Sequence, residues 1–196
     1  MTLGEIAKEI KYGTSDKVIY QEKGIPFLRV TDINKYKTIN PIEGKFISVN
    51  EALKLKPYQV EENDLIISRT GTLGSVIYIG NDLAGSIFGS YFIKVKPKIE
   101  NNILPHFISI FLNSAIGKLQ TDKLGSGGIQ TNLTIEMIKG LIFPILEIEK
   151  QLKICNLYNE SIMLLTHSKE LLEKAKTEVE RIIEGGKDDD NQSKNK

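Results

Sequence analysis

Over the first 145 positions apolar residues come in short β-branched runs separated by polar turns; beyond that they recur at sevenfold spacing. The runs IPFLRVTDI (25–33), KFISV (45–49), DLIISRT (64–70), SVIYIG (75–80) and YFIKVKP (91–97) have the length and residue types of strands. Turn clusters bound them, among them Tyr12-Gly13-Thr14-Ser15 and Gly71-Thr72-Leu73-Gly74. Ahead of them, LGEIAKEI (3–10) forms a short amphipathic segment. Pro105 opens a helical pattern, PHFISIFLNSAIGKLQ, in which Phe107, Phe111 and Ile108 face a core, and proline suits the first helical turn. Thr134 caps a brief helix over IEMIKG, and LIFPI (141–145) reads as one more strand. The expectation for 1–145 is an α+β domain with a mixed, bent sheet and flanking helices.

From about 146 to 184 the period changes. Tyr158, Leu165, Leu172 and Val179 recur every seven residues, and Ser161, Ser168, Ala175 and Ile182 follow in the same register. The alternating spacing of three and four is that of a coiled-coil seam. Leu157, Leu164 and Leu171 add a second apolar row, too wide a stripe for one solvated helix. At about 1.5 Å per residue the helix would span about 60 Å, so most of it needs a partner. Small Ser161, Ser168 and Ala175 let a partner backbone approach closely; the competing reading folds the helix back on its own domain. The tail 185–196, GGKDDDNQSKNK, has the composition of disorder.

Composition sharpens this division. Of the 16 glycines, 14 lie at or before Gly140, and all six prolines lie at or before Pro144. The net charge of +1 separates into 17 basic against 14 acidic side chains over 1–145, net +3, and 9 against 11 beyond, net −2. A total so near zero argues against a nucleic-acid binder that works by bulk attraction alone. The single Cys155 excludes a disulfide framework and a cysteine-built zinc site, and suits a reducing cytoplasm. No apolar run is long enough to span a bilayer, and the N-terminal MTLGEIAKEIK lacks a signal-peptide stretch, so membrane and secretory readings are set aside.

Catalytic patterns are missing where they would be expected. Gly44-Lys45, Gly117-Lys118 and Gly186-Lys187 are followed by Phe, Leu and Asp, not by the Ser or Thr of a phosphate-binding loop. His106 and His167 stand apart from any ligand-spaced cluster. Asp32, Glu43 and Lys45 superficially resemble a metal-dependent nuclease triplet, an arrangement that arises easily by chance among 51 charged residues.

A polar recognition surface remains. Arginine occurs three times against 23 lysines, as Arg29, Arg69 and Arg181, which suggests tasks needing a planar fork. Arg29 precedes Thr31 and Asp32; Arg69 sits among Ser68, Thr70 and Thr72. Arginine to guanine O6 and N7 is the commonest specific base contact, and Ser, Thr, Asn and Gln supply others. The competing reading pairs Arg29 with Asp32 or Glu43. The glycine-rich stretch 125–132 carries Ser126, Gly127, Gly128, Gln130, Thr131 and Asn132, whose glycines permit close backbone approach. Tyr12, Thr14, Ser15 and Lys17 at the first turn, with Ser90 and Tyr91 ahead of the fifth run, complete the candidate DNA contacts.

IPFLRVTDI, DLIISRTGTLGSVIYIG and LGSGGIQTNLTIEMIKGLIFPILEIEKQLKI, in that order after LGEIAKEIKYGTS, resemble the target recognition domain of type I restriction–modification specificity (S) subunits. The similarity covers about 3–184. Two departures stand out: a typical S subunit carries two recognition domains and two helices, and its Pro-x-Pro before Glu-Gln is here a lone Pro144 followed by Glu149-Lys150-Gln151. The resemblance implies a non-catalytic subunit with no cofactor of its own, reading DNA for methyltransferase (M) subunits that bind S-adenosylmethionine, and in some complexes for a restriction (R) subunit. It further implies a half-subunit: one recognition domain (1–145), one dimerisation and spacer helix (146–184), and a closed homodimer reading an interrupted palindrome. Pairing with a different half, or a protein-interaction module that does not touch DNA, are the alternatives.

Overall fold

A computed structural model describes residues 1–98, 102–125 and 132–184. The described chain forms two compact units, Met1–Cys155 and a second that begins at Asn156. The first is α+β and holds all the strands.

Its N-terminal segment divides. Thr2 and Glu5 form a capping box over α1 (Leu3–Ile6), and Ala7 turns extended to begin β1 (Ala7–Tyr12). The single amphipathic segment expected over 3–10 is thus a helical turn joined to a strand. β2 (Ile25–Leu28) stops early because Val30–Asp32 winds into a 3-10 turn closed by the Asp32 carboxylate on the Arg29 amide. β3 (Lys45–Ile47) ends at Ser48, which caps α2 (Val49–Lys54) reciprocally with Glu51. β4 (Leu65–Ser68), β5 (Val76–Tyr78), β6 (Ile87–Phe88) and β7 (Phe92–Pro97) follow. The expected single helix from Pro105 breaks at extended Ser114 into α3 (Pro105–Asn113) and α4 (Ala115–Gly125). Phe107, Ile108 and Leu112 are buried on α3, and Phe111 packs at the edge of the same core. Thr134 caps α5 (Ile135–Lys139) as its position suggests. LIFPI is not a strand: it makes one isolated bridge, Thr2 with Ile142, and Gln120 holds the Ile142 backbone through both side-chain amide atoms.

The expected bent sheet is two sheets. The larger is antiparallel in the order β1-β7-β4-β5; the smaller, β3-β2-β6, is mixed through a parallel β2–β6 pair. Leu65 and Ile67 of β4 face a core with α1, α3 and α5, while Ile66 faces a second core with Leu28, Phe88 and Phe92. Burial on both faces explains why this strand reads as a continuous apolar run rather than an alternation. The sheets are stitched where β1 ends: the Gly13 amide donates to the Phe92 carbonyl (3.2 Å) and the Thr14 amide to that of Phe88 (3.1 Å). A Cβ on Gly13 would lie 2.2 Å from the Gly89 carbonyl oxygen, so only glycine permits this seam.

One ion pair is buried in the larger sheet. Lys94 of β7 is 3% exposed and places Nζ 3.6 Å from the carboxylate of Asp64, itself 1% exposed. Burial raises the Asp64 carboxyl above its ordinary range, against the opposing pull of the Glu61 amide and Lys94.

α6 (Ile148–Ile183) is one continuous helix of 36 residues. Its first turn is fixed by buried Gln151, whose carbonyl accepts from the Leu104 amide (2.8 Å) and whose amide donates to the carbonyls of Asn102 (3.0 Å) and Leu146 (2.7 Å). In the second unit Leu157, Leu164, Leu171, Leu172, Val179 and Ile182 are exposed, while Tyr158 and Leu165 are half-buried. None of the described helices is long and apolar enough to cross a membrane. The tail 185–196 and the stretch 126–131 lie outside the described residues.

Candidate nucleic-acid interface

At the junction of the two sheets the first unit opens into a cavity of about 610 Å³. Its walls include Thr14, Ser15 and Lys17 after β1, Arg29 and Thr31 after β2, and Ser90 and Tyr91 between β6 and β7. Seven candidates scattered over nearly eighty positions are thereby gathered by three strand ends. Thr14 is buried, its hydroxyl accepting from the Asp16 amide, so its part is to hold the rim; Ser15, Lys17, Thr31 and Tyr91 are exposed. Phe27, Leu28 and Phe92 supply apolar lining. The sequence reading missed Tyr20, which stands at the rim edge-on to Phe27 at 5.9 Å and under the Arg29 guanidinium at 5.6 Å. Its only signal was an aromatic closing the short apolar run Val18-Ile19-Tyr20 ahead of β2.

Arg29 is held by Asp32: Nε donates to Oδ2 at 3.1 Å and Nη2 to Oδ1, while Oδ2 also accepts from the Arg29 amide. Hydrogen bonding to Asp32 raises the guanidinium pKa further above its usual range. Of the two readings open for Arg29, the intramolecular pair is the one present. Asp32, with both oxygens engaged, therefore positions Arg29 at the cavity wall.

Arg69 differs. It follows β4 directly, its amide donating to the Tyr91 carbonyl and its carbonyl accepting from Leu133 (3.0 Å). Its guanidinium lies 4.6 Å from the Tyr12 ring centroid, and the Tyr12 hydroxyl accepts from the Ile135 amide. Its Nε is buried without a hydrogen-bond partner. The glycine-rich stretch begins and ends beside this point, since a Cβ on Gly125 would touch Leu73 and Leu133 bonds to Arg69. Asn132 is exposed there; Ser126, Gly127, Gly128, Gln130 and Thr131 lie outside the described residues. Ser68 corrects an expectation: it is fully buried, donating to the Thr72 carbonyl and accepting from the Ser75 amide, so it shapes the turn instead of reaching solvent.

Two of the groups considered for catalysis make contacts within the fold. His106 stacks on Tyr78 with centroids 4.6 Å apart, and burial lowers its pKa. Asp32, of the nuclease-like triplet, is occupied by Arg29. No group of three or more His, Cys, Asp or Glu residues that could hold a metal ion occurs among the described residues.

Two sheets in an α+β unit, followed by a long helix, give the fold seen in solved type I specificity subunits. A solved S subunit from Thermoanaerobacter tengcongensis is 18% identical, with a TM-score of 0.55 over 93% of this chain and 41% of that one. The S subunit from M. genitalium is 19% identical, with a TM-score of 0.55 over 88% and 43%. A structure described as the basis of complex assembly and conformational transition of the type I R-M system gives 17%, 0.59, 93% and 42%. The chain thus spans about two fifths of the length of these relatives. The family described as type I restriction modification DNA specificity domain matches residues 1–180, and the chain belongs to it.

Proposed function

We propose that this chain reads DNA sequence for a type I restriction–modification complex, each copy contacting one half of an interrupted site. The observation that carries this is the cavity where three strand ends bring Ser15, Lys17, Arg29, Thr31, Ser90 and Tyr91 to one rim within the specificity fold. Such a set mixes donors, acceptors and an aromatic, as base-edge recognition requires. Asn132 and the glycine-rich stretch extend the surface beside Arg69. The chain acts as a recognition subunit in the cytoplasm and performs no methyl transfer; S-adenosylmethionine belongs to the M subunits it directs, with an R subunit joining where restriction is licensed. Binding of the chain with its M subunit to a cognate interrupted duplex over random duplex is the expected result. Equal affinity for both would favour a protein-interaction module.

The second unit supports a homodimer. Exposed Leu164, Leu171, Leu172, Val179 and Ile182, beside small Ser161, Ser168 and Ala175, form a face that another helix of the same kind can cover. A second copy, with helices antiparallel about a dyad, is the occupant proposed, with half-buried Tyr158 and Leu165 in the seam. Two identical recognition domains then read identical half-sites in opposite orientation, giving an interrupted palindrome. A methylated motif with unlike halves, and no other S chain present, would overturn the homodimer reading.

A further inference from the structure

The turn after β4 is built to hold an anion. Thr70, Gly71 and Thr72 are consecutive, and none of their amides donates a hydrogen bond among the described residues. The turn is closed beneath them by the Ser68 hydroxyl, by the Gly74 amide on the Ser68 carbonyl (2.8 Å) and by the Leu73 amide on the Gly71 carbonyl (2.8 Å). Gly71 has φ +70°, and successive N–H groups around a left-handed residue form a concavity suited to an anion. Gly71 and Thr72 are exposed and Thr70 half-exposed, so the donors are reachable.

Arg69 adds charge to this set. The other two arginines form ion pairs, Arg29 with Asp32 and Arg181 with Glu178, whereas Arg69 pairs with no carboxylate among the described residues. It packs against Tyr12 with Nε buried and unpartnered, a costly state for a charged donor. The donor count decides what that ligand is. Three consecutive amides beside a guanidinium exceed what any base edge can accept; guanine, the richest in acceptors, offers only O6 and N7 in the major groove. A phosphodiester offers two charged oxygens, each able to accept several hydrogen bonds.

We infer that Arg69 with the amides of Thr70, Gly71 and Thr72 forms a phosphate cradle that grips the DNA backbone, so that Arg69 anchors the recognition domain instead of reading guanine. This rests on the DNA-reading function proposed above and assigns one part of that surface its ligand class. Phosphate contacts set register while base contacts set sequence, so the cradle fixes how the cavity rim meets its half-site.

Two measurements test it. In amide NMR of the full chain, titration with inorganic phosphate moves the Thr70, Gly71 and Thr72 resonances together and saturably, and Arg69→Gln removes the response. Shifts spread over the surface lysines, or none at this turn, would overturn the cradle whatever the chain does with DNA. In complex with the M subunit, Arg69→Gln weakens cognate and random duplex by the same factor, about tenfold. It also flattens the log–log salt dependence by about one unit. Loss confined to the cognate duplex, with one base pair relaxed, would make Arg69 a base reader; unchanged binding to both would remove it from the DNA contact. If even the unaltered complex fails to prefer any duplex, the DNA-reading proposal falls while the phosphate titration still decides the cradle.

Discussion

Half-buried His106 and buried Lys94 each make stability depend on their neighbours in a measurable way. Burial lowers the His106 imidazole below its ordinary 6.5, so the unfolded chain takes up a proton before the folded chain does. The contribution is present above the unfolded value and is lost as pH falls through the window beneath it. His106→Phe keeps the ring on Tyr78 without titrating. Denaturant unfolding between about pH 7.5 and 5 should therefore show the original chain losing ground to the variant; parallel curves would remove His106 from the pH response. Lys94→Met strands the Asp64 carboxylate, which is 1% exposed, and should cost about 3–5 kcal/mol by the same measurement. Adding Asp64→Asn should recover much of that loss, because the buried charge is then gone as well. A loss that the second change fails to relieve would point to packing around Lys94, and not the stranded charge, as the source.

At the scale of elements, α6 separates two kinds of helix within one run. Its start is tied down by Gln151 and Cys155, both buried, whereas Leu164 and Leu171 beyond Asn156 are 62% and 53% exposed. Leu164→Glu with Leu171→Glu should leave the fold of the first unit intact and turn a dimer into a monomer by light scattering. A dimer that survived both charges would place the contact elsewhere. The long helix and strands β2, β3, β4, β5 and β7 were legible because each follows one dominant pattern. β1 was not, since AKEIKY is partly buried at nearly every position and LGEIAKEI has helical amphipathicity until Ala7 turns extended. β6 is two residues long and gains its place from the parallel partner β2, which no local pattern reports. LIFPI misled because Leu141 and Phe143 alternate into the core like a strand, while Ile142 is gripped by a glutamine side chain and not a neighbouring strand. For the candidate site, residue types near strand ends pointed to segments that the fold gathers around one cavity. The sequence left open whether Arg29 pairs with Asp32, and could not show that Arg69 pairs with no carboxylate among the described residues, because that difference depends on where Asp32 and Tyr12 fall in space.

Across the whole molecule, the net charge of +1 conceals a mildly basic domain and a mildly acidic helix. Three excess positive charges over 1–145 supply few phosphate neutralisations, so the chain alone should bind duplex weakly and steeply gain affinity in complex with its M subunit. Under the proposed function specificity and grip would be divided: the cavity rim and glycine-rich stretch would discriminate, the turn after β4 would anchor, and the partner would enclose. In the proposed dimer the helix would set how two recognition domains are spaced, and a dyad through it would convert one chain's reading into a symmetric site. Profiling the methylated positions in DNA from cells expressing this chain with its M subunit and no other S chain tests the account most directly. It predicts one interrupted motif whose halves are inverted copies of each other. Methylation independent of this chain, or a motif with unlike halves, would contradict it.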